Sequence, residues 1–330
     1  MITHKWGILG TGAIARKFAE ALSGTVGAEC HAVASRTLNK AEDFAREYGF
    51  DKAYGSYREL AEDPDIDAVY IATPMASHFD DSLLCISNGR NVLCEKSVTL
   101  NAQQLEIILE EAGKHDVFFM EAMWMKCRPT YRKVREWIDS GRIGEVRFIK
   151  ADFFNHVPYD PESRLYKAGA GGGAMLDLGV YPITMAADIL GGKPDEIVSA
   201  AIIGKDGVDI NNTTILRYGD AVASLGSGFQ LQCRNNALIS GTEGYITMGD
   251  WFHCSCEAFL YDNVSTLLES SVIPEEINGY EYEIREVQKC LEDGEKESSL
   301  VPHYETLEVM RIMDECRKQW GMKYPLEEDK

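Results

Sequence analysis

Short apolar runs alternate with segments of helical period along the first third of the chain. Trp6-Gly7-Ile8-Leu9 is followed by Ile14, Phe18 and Leu22 at fourfold spacing and then by His31-Ala32-Val33-Ala34, which predicts one β-α-β unit. A helix with Ala41, Phe44, Ala45 and Tyr48 on one face is expected to stop at Gly49. Ser56 with Glu59 three residues on spells a capping box, so another helix should start there. The alternation then repeats: Ala68-Val69-Tyr70-Ile71-Ala72 reads as a buried strand, 77–88 as a helix ended by Gly89, and 91–94 as a strand. A helix opened by Asn101 and Gln104 and a strand at Val117-Phe118-Phe119-Met120 complete the series. Strands that alternate with helices this regularly require parallel pairing, so an α/β domain with a doubly wound parallel sheet is predicted over 1–123.

The rhythm changes after Trp124. A helix is expected at about 130–140, a strand at 145–154, and a succession of strands from Ile197 to Met248. This pattern predicts an α+β domain over 124–330, built on a mostly antiparallel sheet. It is interrupted by Gly169-Ala170-Gly171-Gly172-Gly173 and a helix over 175–190, and two helices at about 280–291 and 304–320 end the chain. The glycine run fits either a close approach of the backbone to a ligand or strand, or a flexible turn.

Composition narrows the functional classes. With 330 residues, 45% apolar and 26% charged, the chain is long enough for two folded domains. Asp and Glu number 53 against 33 Lys and Arg, a formal charge of −20, which argues against nucleic acid as a general partner. Nine cysteines without paired spacing suggest a reducing compartment, and the cytoplasm is the expected location. Cys254 and Cys256 read as alternate residues of a strand rather than a metal site. The N-terminus runs directly into a strand-like segment, and no apolar run approaches the roughly 20 residues of a membrane span, so neither secretion nor a membrane partner is expected.

Chemistry concentrates at predicted strand ends. Gly10-Thr11-Gly12-Ala13-Ile14-Ala15 fits G-x-G-x-x-A between the first strand and helix, where the glycines permit a tight turn and close approach of a pyrophosphate. The helix N-terminus then holds the anion. The second strand ends in Ser35, Arg36 and Thr37, where an NAD site would carry a carboxylate for the ribose 2′-hydroxyl. A guanidinium and two hydroxyls suit a 2′-phosphate, so the Rossmann-type site is expected to take NADP, with use of NAD left open. Thr73, Pro74 and His78 follow one strand, and Glu95 and Lys96 follow the next, all at the ends where open α/β sheets bind ligands.

Taken together, GTGAIA, YIATPMASH, CEKS, MEAMWMKCRP, GGGAMLDLGVYPI and MRIMDECRKQWGMKYP, in this order, resemble the glucose-fructose oxidoreductase and inositol dehydrogenase (Gfo/Idh/MocA) family over essentially the whole chain. The Glu-Ala-x-Trp block and Asp-x-Gly-x-Tyr motif look most like the branch containing dimeric dihydrodiol dehydrogenase. The resemblance implies hydride transfer between a nicotinamide and a CH–OH or carbonyl carbon of a neutral sugar, polyol or vicinal diol. It implies that Lys96 lies between nicotinamide ribose and substrate, that Asp177 and Tyr181 line the substrate side, and that Trp124 borders the nicotinamide or packs at a domain junction. It also implies a homodimer or tetramer packed through the second domain's sheet.

Asp177 and Tyr181, four apart, should project from one side of a helix. A tyrosine whose phenol is made more acidic by a neighbouring ammonium can exchange the proton that carbonyl reduction requires. Two positions depart from the family pattern: Ser97 replaces a usual proline, and Lys126 stands where relatives tend to carry arginine. A non-catalytic dinucleotide sensor and an NAD-dependent glycosidase are the alternative readings. The first would tolerate loss of the lysine and tyrosine that this chain keeps, and the second usually retains NAD, against which Arg36 argues.

Overall fold

A computed structural model describes residues 2–327. The first strands and helices are β1 (His4–Leu9), α1 (Ala13–Gly24), β2 (Ala28–Ala34), α2 (Leu38–Tyr48), β3 (Lys52–Tyr54), α3 (Tyr57–Ala61), β4 (Ala68–Ile71), α4 (His78–Ser87), β5 (Asn91–Glu95), α5 (Ala102–His115), β6 (Phe119–Ala122) and α6 (Trp124–Cys127). There follow α7 (Pro129–Asp139), β7 (Val146–Phe154), α8 (Val180–Leu190), β8 (Glu196–Ile203), β9 (Asp209–Tyr218), β10 (Ala221–Gly228), β11 (Ala237–Gly241), β12 (Gly244–Met248), β13 (Glu257–Asp262), β14 (Leu267–Val272), α9 (Glu281–Asp293) and α10 (His303–Trp320).

The chain divides into two compact units. The first holds everything up to Thr99, then Gln103–Cys127 and Glu275–His303; the second holds Leu100–Ala102, Arg128–Pro274 and the stretch from Tyr304 on. Segment 275–303, which lies beyond the 123/124 division drawn from local pattern, thus packs with the first unit. Such a return depends on contacts between residues remote in sequence, to which local periodicity is blind.

In the first unit six strands form a parallel sheet in the order β3-β2-β1-β4-β5-β6. Order reverses between β1 and β4, the switch point at which doubly wound sheets open a crevice at their carboxyl ends. The strands are apolar on both faces because helices cover both: Trp6, Ile8, Leu9 and all of β4 are buried. Phe18 of α1 stacks on Tyr70 of β4 at 3.6 Å between centroids, which clamps the first helix over the switch point. Burial of such a ring contributes about 1.5–3 kcal/mol. As the pattern predicts, α2 ends at Gly49 in the left-handed region (φ 75°), and the Ser56 hydroxyl accepts the Glu59 N–H at 3.3 Å.

The second unit carries an eight-stranded sheet, β14-β13-β12-β11-β7-β10-β9-β8, antiparallel except for the β7/β10 pair. Against it lies α8, in which every residue from Val180 to Ala187 is buried. The stretch Ala168–Leu190 is, contrary to the sequence expectation, long and apolar enough to cross a membrane, but 78% of its apolar window is buried inside the protein. That is the behaviour of a core helix. Two further readings are corrected. Strands continue past Met248 into β13 and β14, and Cys254 and Cys256 sit in the turn before β13 rather than in a strand. Arg128 organises that turn by donating to the Cys254 carbonyl at 2.8 Å. None of the nine cysteines is in a disulfide.

Candidate functional site

Candidate residues collect at the carboxyl ends of the parallel strands in the first unit. Gly10 follows β1 with φ 101°, and a Cβ there would lie 2.8 Å from the Ala72 carbonyl oxygen, so only glycine allows this turn to pass the end of β4. Gly12, the N-cap of α1, faces open space: nothing lies within 4 Å of where its Cβ would be. The first turn of α1, with Thr11, Ala13 and Ile14 at its entry, has neither a side-chain cap nor an acidic residue. Its N–H groups therefore remain available to an anion, and the loop fits the pyrophosphate of a dinucleotide.

At the end of β2, Ser35 is buried and its hydroxyl accepts the Thr37 N–H at 3.5 Å, while Arg36 and Thr37 are exposed. Among the described residues Arg36 has no ion-pair partner. Its charge reaches two groups that the sequence did not single out, Tyr57 and Asp81. Burial pushes the Asp81 carboxyl up to about 6, while the Thr73 hydroxyl, donating at 2.7 Å, and Arg36 pull it down. A cation paired with no carboxylate beside a mainly desolvated acid suits a ligand phosphate.

Pro74 opens a single 3-10 turn, Met75–Ser77, that leads into α4. His78 is buried, and its ring nitrogens face two carbonyl oxygens, Nε2 that of Thr73 at 2.9 Å and Nδ1 that of Ser97 at 3.0 Å. It ties the turn after β4 to the turn after β5. Only the imidazolium form donates to both.

The β5 turn is held from below. Glu95 accepts from the Tyr70 hydroxyl and from the Lys96 N–H, the latter at 3.2 Å, and Glu121 accepts the Val98 N–H at 3.1 Å. Lys96 is half-buried, Ser97 is fully buried, and the peptide bond between them is cis. Trp124 stacks on Tyr280 at 4.7 Å and 13°, and Lys126 is buried. Beside Glu95 lies Glu283 of α9, fully buried, with no hydrogen bond to either carboxyl oxygen. Burial and the charge of Glu95 hold its carboxyl well above the usual range. No sequence signal marks Glu283, because a carboxylate on a helix is ordinarily a solvated one.

In the second unit, Tyr181 lies in the first turn of α8 and is 5% exposed, with its ring against Phe153 at 5.6 Å and His253 at 4.8 Å. His253 in turn stacks on Phe153 at 4.3 Å. Neither neighbour is apparent from sequence, since His253 stands in an irregular loop. Asp177 lies one turn earlier in a π-helical segment, Met175–Gly179, rather than in the α-helix expected, and accepts from Arg164 at 3.1 Å. The segment is anchored by Asp209, which is fully buried and accepts the Met175 N–H and the Asn212 amide, both at 2.8 Å.

The glycine run is a close-packed turn. A Cβ on Gly172 would lie 2.6 Å from the carbonyl oxygens of Arg164 and Leu165, and one on Gly173 (φ 120°) would fall on Asp209 Oδ1. Close approach, here to the protein's own chain, therefore explains these glycines. Asp177 and Tyr181 are thus brought together with Arg164, His253 and Asp209 in one unit, while Lys96 and the dinucleotide-binding residues belong to the other.

Comparisons with known proteins agree with this geometry. Residues 4–123 match the family described as "Oxidoreductase family, NAD-binding Rossmann fold", and residues 131–247 match the "GFO/IDH/MocA C-terminal domain". The chain is 37% identical to trans-1,2-dihydrobenzene-1,2-diol dehydrogenase of Xenopus laevis, over 97% of this chain and 99% of that one. It is 32% identical to the Homo sapiens protein of the same name, over 97% and 98%. Among solved structures, a 3-ketoreductase from Actinomadura kijaniata, in complex with NADP and TDP-benzene, superimposes with a TM-score of 0.85 at 27% identity, covering 96% of this chain and 97% of that one. Levoglucosan dehydrogenase in complex with NADH, at 18% identity and TM-score 0.87 over 98% and 99%, shares the fold. The chain belongs to the Gfo/Idh/MocA family of NAD(P)-dependent oxidoreductases.

Proposed function

We propose that this enzyme is an NADP-dependent dehydrogenase/reductase of the CH–OH groups of a small neutral vicinal diol, polyol or sugar. The observation that carries the cofactor half is the pairing of an uncapped α1 N-terminus behind Gly10 and Gly12 with Arg36, which forms no ion pair among the described residues. Thr11, Ala13 and Ile14 would offer N–H groups to the pyrophosphate, and Ser35, Arg36 and Thr37 would hold the 2′-phosphate. Thr73, Pro74, Glu95 and Trp124 would border the rest of the cofactor. His78, with both nitrogens directed at backbone carbonyls, would act by holding two of these turns together.

NADP supplies the hydride acceptor or donor at its nicotinamide. Tyr181, as phenolate, would take the hydroxyl proton of the substrate in oxidation and return it to the carbonyl oxygen in reduction. Lys96 favours the phenolate electrostatically and contributes to cofactor binding, and Asp177 orients the substrate hydroxyls. The first unit would carry the cofactor, and the second the substrate and the contact between subunits. Likeness to dihydrobenzenediol dehydrogenases at up to 37% identity supports the diol class.

Exposed Val198, Ile202, Ile215, Leu267 and Val272 on the second unit's sheet support assembly of a homodimer or tetramer through that face. Nine cysteines, none in a disulfide, support a cytoplasmic location. A panel of sugars, inositols, 1,2-diols, dicarbonyls, phosphosugars and hydroxy acids, read by nicotinamide absorbance with each cofactor, tests the assignment. Turnover confined to phosphosugars or carboxylic acids would refute the substrate class.

A further inference from the structure

The strand pair β2/β3 assembles a second group of polar side chains near the amino-terminal ends of these strands, away from Ser35 and Arg36 at the carboxyl end of β2. Alternation puts Glu29 and His31 on one face of β2, and the parallel register that pairs Ala32 with Lys52 brings Asp51 beside His31. The ligating atoms of Glu29, His31 and Asp51 all lie within 4.8 Å of one another.

His31 gives this cluster its direction. Its side chain is buried (3% exposed), and Nε2 lies 3.1 Å from Asp63 Oδ2. Asp63 is itself held in place, accepting from the Lys52 ammonium at 2.9 Å, the Asp65 N–H at 3.1 Å and the Tyr54 hydroxyl at 2.9 Å. With Nε2 turned to Asp63, Nδ1 is the ring nitrogen left to another partner. Nδ1 is buried and has no hydrogen-bond partner, with Glu29 Oε1 3.8 Å away. Carboxylate, imidazole and an open nitrogen directed at further carboxylates form the arrangement by which proteins orient a histidine on a metal. The opposite side of the ring, toward Asp63 and Asp65, already holds a cation, the Lys52 ammonium.

We infer that Glu29, His31 and Asp51 bind a divalent transition-metal ion of the zinc class, with Asp63 orienting the histidine from behind. One nitrogen and two carboxylate oxygens suit Zn²⁺ or Co²⁺ better than Mg²⁺ or Ca²⁺, which prefer all-oxygen sets. Tetrahedral ligands at about 2.1 Å from an ion stand about 3.4 Å apart, so small rotations of the exposed Asp51 and half-exposed Glu29 side chains close the site. The ion would clip the three-residue edge strand β3 to β2.

The test is a Co²⁺ titration of the chelator-treated full chain, followed by calorimetry and visible absorption, beside Glu29→Gln/Asp51→Asn and Asp63→Asn. Expected are one site of oxygen and nitrogen character, without a thiolate-to-cobalt band, a higher melting temperature with Co²⁺ or Zn²⁺, and no response to Mg²⁺. The double variant, altered only at partly exposed side chains, should lose the site while melting near the metal-free wild type; Asp63→Asn should weaken it roughly 10- to 100-fold. Absence of binding, equal binding by the double variant, or a thiolate band would overturn the proposal.

Discussion

Replacing Glu283 by Gln should make the protein more stable, by an amount that grows with pH. Glu283 is fully buried beside Glu95, in a cluster that also holds Tyr70 and Tyr280, and its carboxyl oxygens have no hydrogen-bond partner. Desolvation first, and the Glu95 charge second, raise its folded pKa well above the ordinary carboxyl value. The unfolded chain ionises this group at about pH 4.3, whereas the folded chain retains the proton to much higher pH. Between those limits the folded state binds one more proton, so stability falls with rising pH by about 1.4 kcal/mol per pH unit on account of this group alone. Gln cannot ionise in either state and removes that slope. Near pH 4 the two proteins should differ by no more than about 1 kcal/mol, since each buries an unpaired neutral group. Above that the variant should gain on the wild type by up to about 1.4 kcal/mol per pH unit for as long as the folded protein keeps the proton. Urea unfolding in half-unit steps from pH 4 to 7.5 measures the difference. Parallel stability curves, or a variant that loses ground as pH rises, would show that Glu283 is ionised in the folded protein and would refute the reasoning.

Arg36→Ala should weaken NADP by about 1.5–3 kcal/mol, the value of a charge-assisted contact, and leave NAD nearly unchanged; direct titration of both cofactors checks this, and equal affinities in the wild type would remove the basis for NADP preference. Tyr181→Phe preserves the ring that packs on Phe153 and His253, so the fold and NADP binding should survive while turnover drops roughly 10²- to 10⁴-fold. Near-normal kcat in that variant would move the proton donor elsewhere, with Lys96 next to be tested. Lys96→Met should lower turnover and NADP affinity together, and a pure kcat effect with unchanged NADP binding would separate the lysine from the cofactor.

What could be read from the chain is what local pattern encodes. The strand-helix alternation, the α1 loop and the stop at Gly49 each depend on residues within a few positions of one another and are found, although the short edge strand β3 shows no strand pattern and β6 starts at Phe119, two residues after the expected Val117. Glu283 and the return of 275–303 to the first unit were hidden because α9 buries Glu281, Glu283 and Glu286, which on an amphipathic reading belong to the solvated face. Glu281 is held there by the N–H groups of Ile277, Asn278 and Gly279, an arrangement visible only in three dimensions. Strand β14 escaped notice because much of it is exposed and only weakly alternating. In the candidate site, Lys96, Asp177 and Tyr181 were found through motif resemblance, whereas Arg164, His253 and Asp209 come from separate loops and strands and carry no local signature. The glycine run was legible as a close approach or a turn, and only Asp209 and the carbonyls of Arg164 and Leu165 decide between the two.

The central claim, hydride transfer between a neutral diol carbon and NADP, is tested most directly with a vicinal diol deuterated at its carbinol carbons. Incubated with the wild-type enzyme and NADP, it should deliver one deuterium to the nicotinamide for every carbonyl formed, as measured by mass spectrometry of the reduced cofactor, with NAD labelled much more slowly. Absence of label in the cofactor, label lost to solvent, or bond cleavage without net reduction of NADP would contradict the account.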